Sequence, residues 1–159
     1  MNGILAPALL CATFGMMLSF GVSRRAIASG LVATIASGLV AAHLPIGAGH
    51  VGAARTACWI GVVAAAAGMH LHRPTGQNVT GTMGLIAGLT AGSTVAASGM
   101  PSVLPAIVWV LSCVPGAWLV STRRGLAVKV AGSWLAAAAV LSLGLGTVPT
   151  LGYEPDHME

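Results

Sequence analysis

The sequence predicts an all-α integral membrane protein, a bundle of about six transmembrane helices joined by short loops. Three observations carry that expectation. Of the 159 residues, 56% are hydrophobic and 6% charged, with a mean hydropathy of +0.90, whereas a soluble domain carries roughly 25% charged residues. The apolar residues fall into runs near the ~20 residues that a helix needs to cross a hydrocarbon core of ~30 Å. The basic residues gather between those runs, at alternate turns.

The runs lie at 3–22, 26–44, 57–71, 79–100, 103–120 and 126–148. The first has no basic residue ahead of it, so it lacks the charged leader of a cleavable signal peptide and is expected to remain as a span. The third holds only about 15 apolar residues, roughly 22 Å of helix, which falls short of the hydrocarbon core. Charge decides whether it crosses, because short cytoplasmic loops carry the Lys and Arg. With six spans and an exterior N-terminus, Arg24, Arg25, Arg73, Arg123, Arg124 and Lys129 all fall on the inner side, leaving Arg55 outside. If the third run does not cross, Arg123, Arg124 and Lys129 change sides and the bias vanishes. Six spans are therefore expected, with Arg55 snorkelling outward to lengthen the third helix and Trp59 near the outer interface.

The remaining residues, 149–159, form a short acidic tail holding Glu154, Asp156 and Glu159. It is expected to face outward, which puts both termini on the periplasmic or exterior side of a bacterial inner membrane. Within 1–148 the chain is one transmembrane domain with no room for a second. The paired basic turns at Arg24-Arg25 and Arg123-Arg124 are the one hint of an internal repeat.

Small residues recur every four positions in the fourth span, at Gly84, Gly88, Gly92 and Ala96, as in a glycine zipper. The second span shows the same spacing through Gly30 and Gly38. Such stripes let helix backbones approach closely, which in lipid drives association through packing because hydrophobic burial is unavailable there. These two helices are the expected centre of the bundle, and replacing Gly88 with Leu is expected to disrupt assembly. Pro115 removes a backbone donor from the fifth span and should kink it.

The chemistry the spans lack is as informative. No Asp or Glu lies in any of them, which removes the usual intramembrane proton carrier and ligand of a coupled cation. No nucleophile elbow, phosphate loop or closed metal-ligand cluster is present. The basic residues lie at helix ends rather than in a patch, so no nucleic-acid partner is expected. Cys11, Cys58 and Cys113 are dispersed within apolar runs and read as packing residues. His43, His50, His70 and His72 are the only metal candidates besides His157 in the tail. As an interfacial pair, His70 and His72 reach one ion only where the helix has ended, because positions two apart on a helix face different ways. No cofactor is expected.

The expected function is a non-catalytic membrane protein that packs as a subunit of a larger assembly, its partners being the bilayer and other membrane subunits or itself. The alternative is a small uncoupled channel or solute facilitator with a polar pathway of Ser29, Thr34, Ser37, Thr90, Ser93 and Thr94. A third reading, a membrane enzyme or redox subunit using the histidines, needs a bound metal or haem.

Overall fold

The computed structural model describes residues 4–21, 23–70 and 76–147. The acidic tail, His72 and Arg73 therefore lie outside the described residues. Six helical rods follow one another: α1 Leu5–Leu18, α2 Arg24–Ala42, α3 Val51–His70, α4 Gln77–Ala97, α5 Leu104–Ser121 and α6 Gly125–Thr147. All but α1 are long and apolar enough to cross a membrane. No strand occurs among the described residues.

The helix ends have local causes. Ser23 accepts a hydrogen bond from the backbone N–H of Ala26 at 3.2 Å and caps α2, occupying one of the donors a helix start leaves free. Gly99, with φ of 66°, closes α4 by donating from its backbone N–H to Ala96 O while Met100 N–H reaches Val95 O. That is a Schellman stop, whose left-handed residue suits glycine. Arg123 ends α5 through the same pair of bonds, with φ of 61°, and there a side chain is carried in the left-handed region at a steric cost. Pro105 sits in the first turn of α5, where no intrahelical donor is needed.

Two expected spans change character. The third run lengthens to the 20 residues of Val51–His70, entered through a 3-10 turn at Ala48–His50, because Gly52 through Thr56 continue the helix although Arg55 interrupts the apolar pattern. The first shortens to 14 residues, about 21 Å, because the chain turns at Ser19–Gly21.

The centre of the bundle also differs from the expectation. It is α1, and not the α2–α4 pair, that the other helices surround: α1 touches every one of them. Ten of its 14 residues are buried, with Leu10, Cys11, Phe14 and Leu18 in the main apolar cluster beside Val62, Met69 and Val110. The small-residue stripes leave α2 and α4 only one interior face each, while the bulky residues of α1 fill space on all sides. At the other extreme, 17% of the apolar window of α6 is buried, against 44% for α4.

Helix directions follow from which residues meet. Gly61 and Gly68 of α3 face Leu10 and Met17, so α3 runs parallel to α1; Gly15 and Gly116 bring α5 alongside α1 in the same sense. The second and fourth helices run parallel to each other, Gly84 lying over Gly30 and Gly92 over Gly38. Arg24, Arg25, Arg123, Arg124 and Lys129 thus share one end of the bundle, Lys129 lying 5.9 Å from the ring centre of Phe20, and Arg55 occupies the other.

Phe14 is 2% exposed and Val140 57% exposed. Phe14→Ala should therefore lower the unfolding free energy in detergent by about 3 kcal/mol, while Val140→Ala should stay within about 0.5 kcal/mol of the parent. Thermal unfolding of both purified variants checks the difference.

Candidate functional site

The helix pair α2–α4 forms the most extensive contact in the molecule. Its surface is built from glycines in register. A Cβ on Gly84 would lie 2.5 Å from Gly30 O; one on Gly88 would collide with Ser37 Oγ and Thr34 O; and one on Gly92 would collide with Gly38 O and lie 2.8 Å from Ala41 Cβ. On the α2 side, a Cβ on Gly30 would meet Leu18 Cδ2 at 2.6 Å, and one on Gly38 would meet Ile107 Cδ1 at 2.8 Å. The stripe thus meets a helix of its own chain. Ala96 is only half-buried and ends the contact. This redirects the Gly88→Leu expectation, because the side chain would push apart two helices of one fold before it reached any assembly.

The hydroxyls expected to form a polar pathway all bond backbone carbonyls of their own helix, and Ser29 and Thr94 also reach a neighbouring one. Thr34 donates to Gly30 O at 2.8 Å and Ser37 to Ala33 O at 2.6 Å, both in the α2–α4 seam. Ser29 bonds Ala26 O at 2.9 Å and approaches Gln77 O at 3.3 Å across the seam. Thr90 donates to Ile86 O and Ser93 to Thr90 O within α4. Thr94 lies 2.8 Å from Thr90 O and 3.1 Å from Ala54 O, and its oxygen is 3.1 Å from Cys58 Sγ, which ties α4 to α3. Back-bonding of this kind satisfies a hydroxyl in an apolar setting.

Other interhelical bonds were not legible as such. Thr80 donates across the seam to Ala26 O at 3.0 Å. Ser112 donates to Ala12 O at 2.8 Å and Ser19 to Cys113 O at 3.3 Å, joining α5 to α1. These last two sit where α5 passes through a 3-10 stretch, Val108–Ser112, just before Pro115. Pro115 supplies no backbone donor to the preceding turn, and the turn before it is 3-10 rather than α and bonded to α1. No sequence signal separates Ser19 and Ser112 from the hydroxyls that only bond their own helix.

The histidines scatter. His43 is the exposed C-cap of α2, His50 ends the 3-10 turn before α3, and His70 Nε2 lies 3.2 Å from Ser133 Oγ of α6. Among the described residues no three of His, Cys, Asp and Glu converge as a metal site. A laterally open cavity of about 440 Å³ lies between α1, α3 and α4, floored by Leu10, Phe14 and Met17 and walled by Ala57, Gly61, Ala64 and Ala87. Its lining is apolar, and Thr90, the one hydroxyl there, is already bonded to Ile86 O. The small wall residues leave the hollow.

No protein-family model, curated protein or solved structure matches the chain.

Graded effects are expected along the seam. Gly88→Leu should abolish cooperative unfolding or lower its midpoint steeply. Thr80→Val should cost about 0.6 kcal/mol, the usual worth of an interhelical hydrogen bond in a membrane protein. Gly81→Ala, where nothing lies within 4 Å of the added Cβ, should not destabilise. Thermal unfolding in one detergent compares the three.

Proposed function

We propose that this chain is a non-catalytic multi-pass protein of a bacterial inner membrane, a helix-packing subunit of a larger membrane assembly. It crosses six times with both termini on the exterior side. The orientation is supported by charge: Arg24, Arg25, Arg123, Arg124 and Lys129 share one end of the bundle, and cations of short loops collect on the cytoplasmic side.

One observation carries the assembly reading, the unused face of α6. This helix buries Val128, Gly132 and Ala139 against the bundle and exposes the opposite side along its length, including Leu126 at 75%, Trp134 at 76% and Leu141 at 64%. Tryptophan in a membrane protein concentrates at the two interfaces, where its N–H stays hydrated. Trp109 and Trp118 lie toward the two ends of α5 and fit that rule. Trp134 follows Ser133, whose hydroxyl lies 3.2 Å from Nε2 of His70 at the end of α3, and stands about 7.5 Å along α6 from Lys129. The hydroxyls and the Cys58 thiol that chemistry or a polar pathway would draw on are already bonded, Thr34 and Ser37 within their own helix and Cys58 to Thr94 across to α4, which favours the packing role over the facilitator.

Extraction in mild detergent followed by native mass measurement tests the reading. The expected species is larger than one 15.7 kDa chain after lipid is stripped. A lone monomer from membranes extracted under several mild conditions would overturn it.

A further inference from the structure

The hollow between α1, α3 and α4 is a groove whose two ends differ. Toward the exterior end α3 and α4 are tied together: Thr94 Oγ1 lies 3.1 Å from Ala54 O and 3.1 Å from Cys58 Sγ. Nearer the cytoplasmic end the same helices present Ala64 and Met83, both exposed, as the lips of the mouth. Leu10, Phe14 and Met17 of the central helix α1 lie behind them.

The groove sits at the level of the acyl chains. Its α3 residues, Ala57 to Ala65, lie about 8 to 20 Å from the His70 end of that helix, and its α4 residues, Met83 to Thr90, about 9 to 20 Å from Gln77. Counting back along α3 and forward along α4 thus gives one depth, the middle of a hydrocarbon core of ~30 Å.

Size and polarity decide what fits. From Leu10 to Met17 the groove runs about 10 Å. Spread over that length, its volume of about 440 Å³ gives a section of about 40 Å², half of the ~80 Å² taken up by a helix 10 Å across. A second helix does not enter. Nor is water held: Thr90 carries the one hydroxyl of the lining and donates it to Ile86 O at 2.7 Å, whereas a trapped water needs about two to four polar partners. An unbranched hydrocarbon chain meets both limits, and such chains are what surrounds a spanning bundle.

We propose that the groove binds one acyl chain of an inner-leaflet phospholipid, which enters past Ala64 and Met83 and reaches toward Leu10. The tied exterior end leaves the cytoplasmic side as the way in. At that side stand Arg24, Arg25, Arg123, Arg124 and Lys129, and the chain's acidic residues are Glu154, Asp156 and Glu159 alone, so nothing in the spans or their inner turns offsets those cations. Cations so placed draw anionic headgroups. The site rests on the membrane-spanning reading above and is independent of the assembly.

The test uses the full chain in phosphatidylethanolamine–phosphatidylglycerol vesicles doped with a phosphatidylglycerol that carries a photoactivatable diazirine at mid-chain or at the chain end, with adducts mapped by peptide mass spectrometry. Lipid that only surrounds the bundle labels exposed faces, whereas Leu10, Phe14 and Met17, which are 3%, 2% and 6% exposed, are reached through the groove. Adducts are expected at Met17 from the mid-chain probe and at Leu10 or Phe14 from the chain-end probe. Ala64→Phe, which puts a ring in the mouth, should lower labelling of these three residues about tenfold, equivalent to 1.4 kcal/mol, with the thermal midpoint unchanged. Ala36→Phe, at an exposed position of α2, should leave the labelling as it is. The order of labels is read on the unaltered chain and needs no variant to fold. Adducts confined to exposed faces would overturn the groove site and leave the spanning reading standing, and the reverse order of labels would overturn the inner-leaflet origin. A chain with no adduct at all would overturn the spanning reading and the site with it.

Discussion

The close approach of α2 and α4 is the constraint from which the rest of the arrangement follows. Glycine backbones meet along three successive turns, and they meet with the helices running in the same direction. Parallel helices cannot be joined by a tight hairpin, so the chain must return across the bundle between them, and α3 is that return. Its own parallel partner is α1, which therefore lies inside, against α3 on one side and α5 on another. The parallel pairs interlock, and the short α1 is enclosed by helices that the α2–α4 seam and its return segment have already placed.

Polar groups inside this bundle act as fasteners. In an apolar medium a hydroxyl without a partner is costly, and among the described residues every buried side-chain nitrogen or oxygen has one. Most bond the preceding turn of their own helix. Thr80, Thr94, Ser19 and Ser112 reach across to a neighbour, at the α2–α4, α3–α4 and α1–α5 contacts. Each such bond is worth little alone, but it fixes the depth at which two otherwise sliding helices meet. A cavity between α1, α3 and α4 is left unfilled by side chains, and its lining is apolar.

The sixth helix stands apart from this economy of contact. It buries Val128, Gly132 and Ala139, packs Leu135 and Leu143 partly against the core, and leaves its opposite side exposed. The proposed role of the protein rests on that asymmetry between a saturated interior and an unsaturated sixth helix.

Composition and periodicity alone determined that the chain is helical and apolar, roughly where six helices lie, and that Gly84, Gly88 and Gly92 form a contact face. These are local properties: hydropathy is set by each residue, and a four-residue spacing puts side chains on one face whatever lies opposite. The same reasoning placed the centre at α2 and α4 and kept a polar pathway through Ser29, Thr34 and Ser37 as its alternative, because a small or polar residue looks alike in the sequence whether it faces a helix, a pore or lipid. Only the tertiary structure decided that the glycine face meets α2 of its own chain, that α1 is the core, and that Trp134 faces outward. Those outcomes depend on which helices pair and in which direction, and pairing is a property of two distant segments at once. Neither segment carries a record of the other in its own spacing.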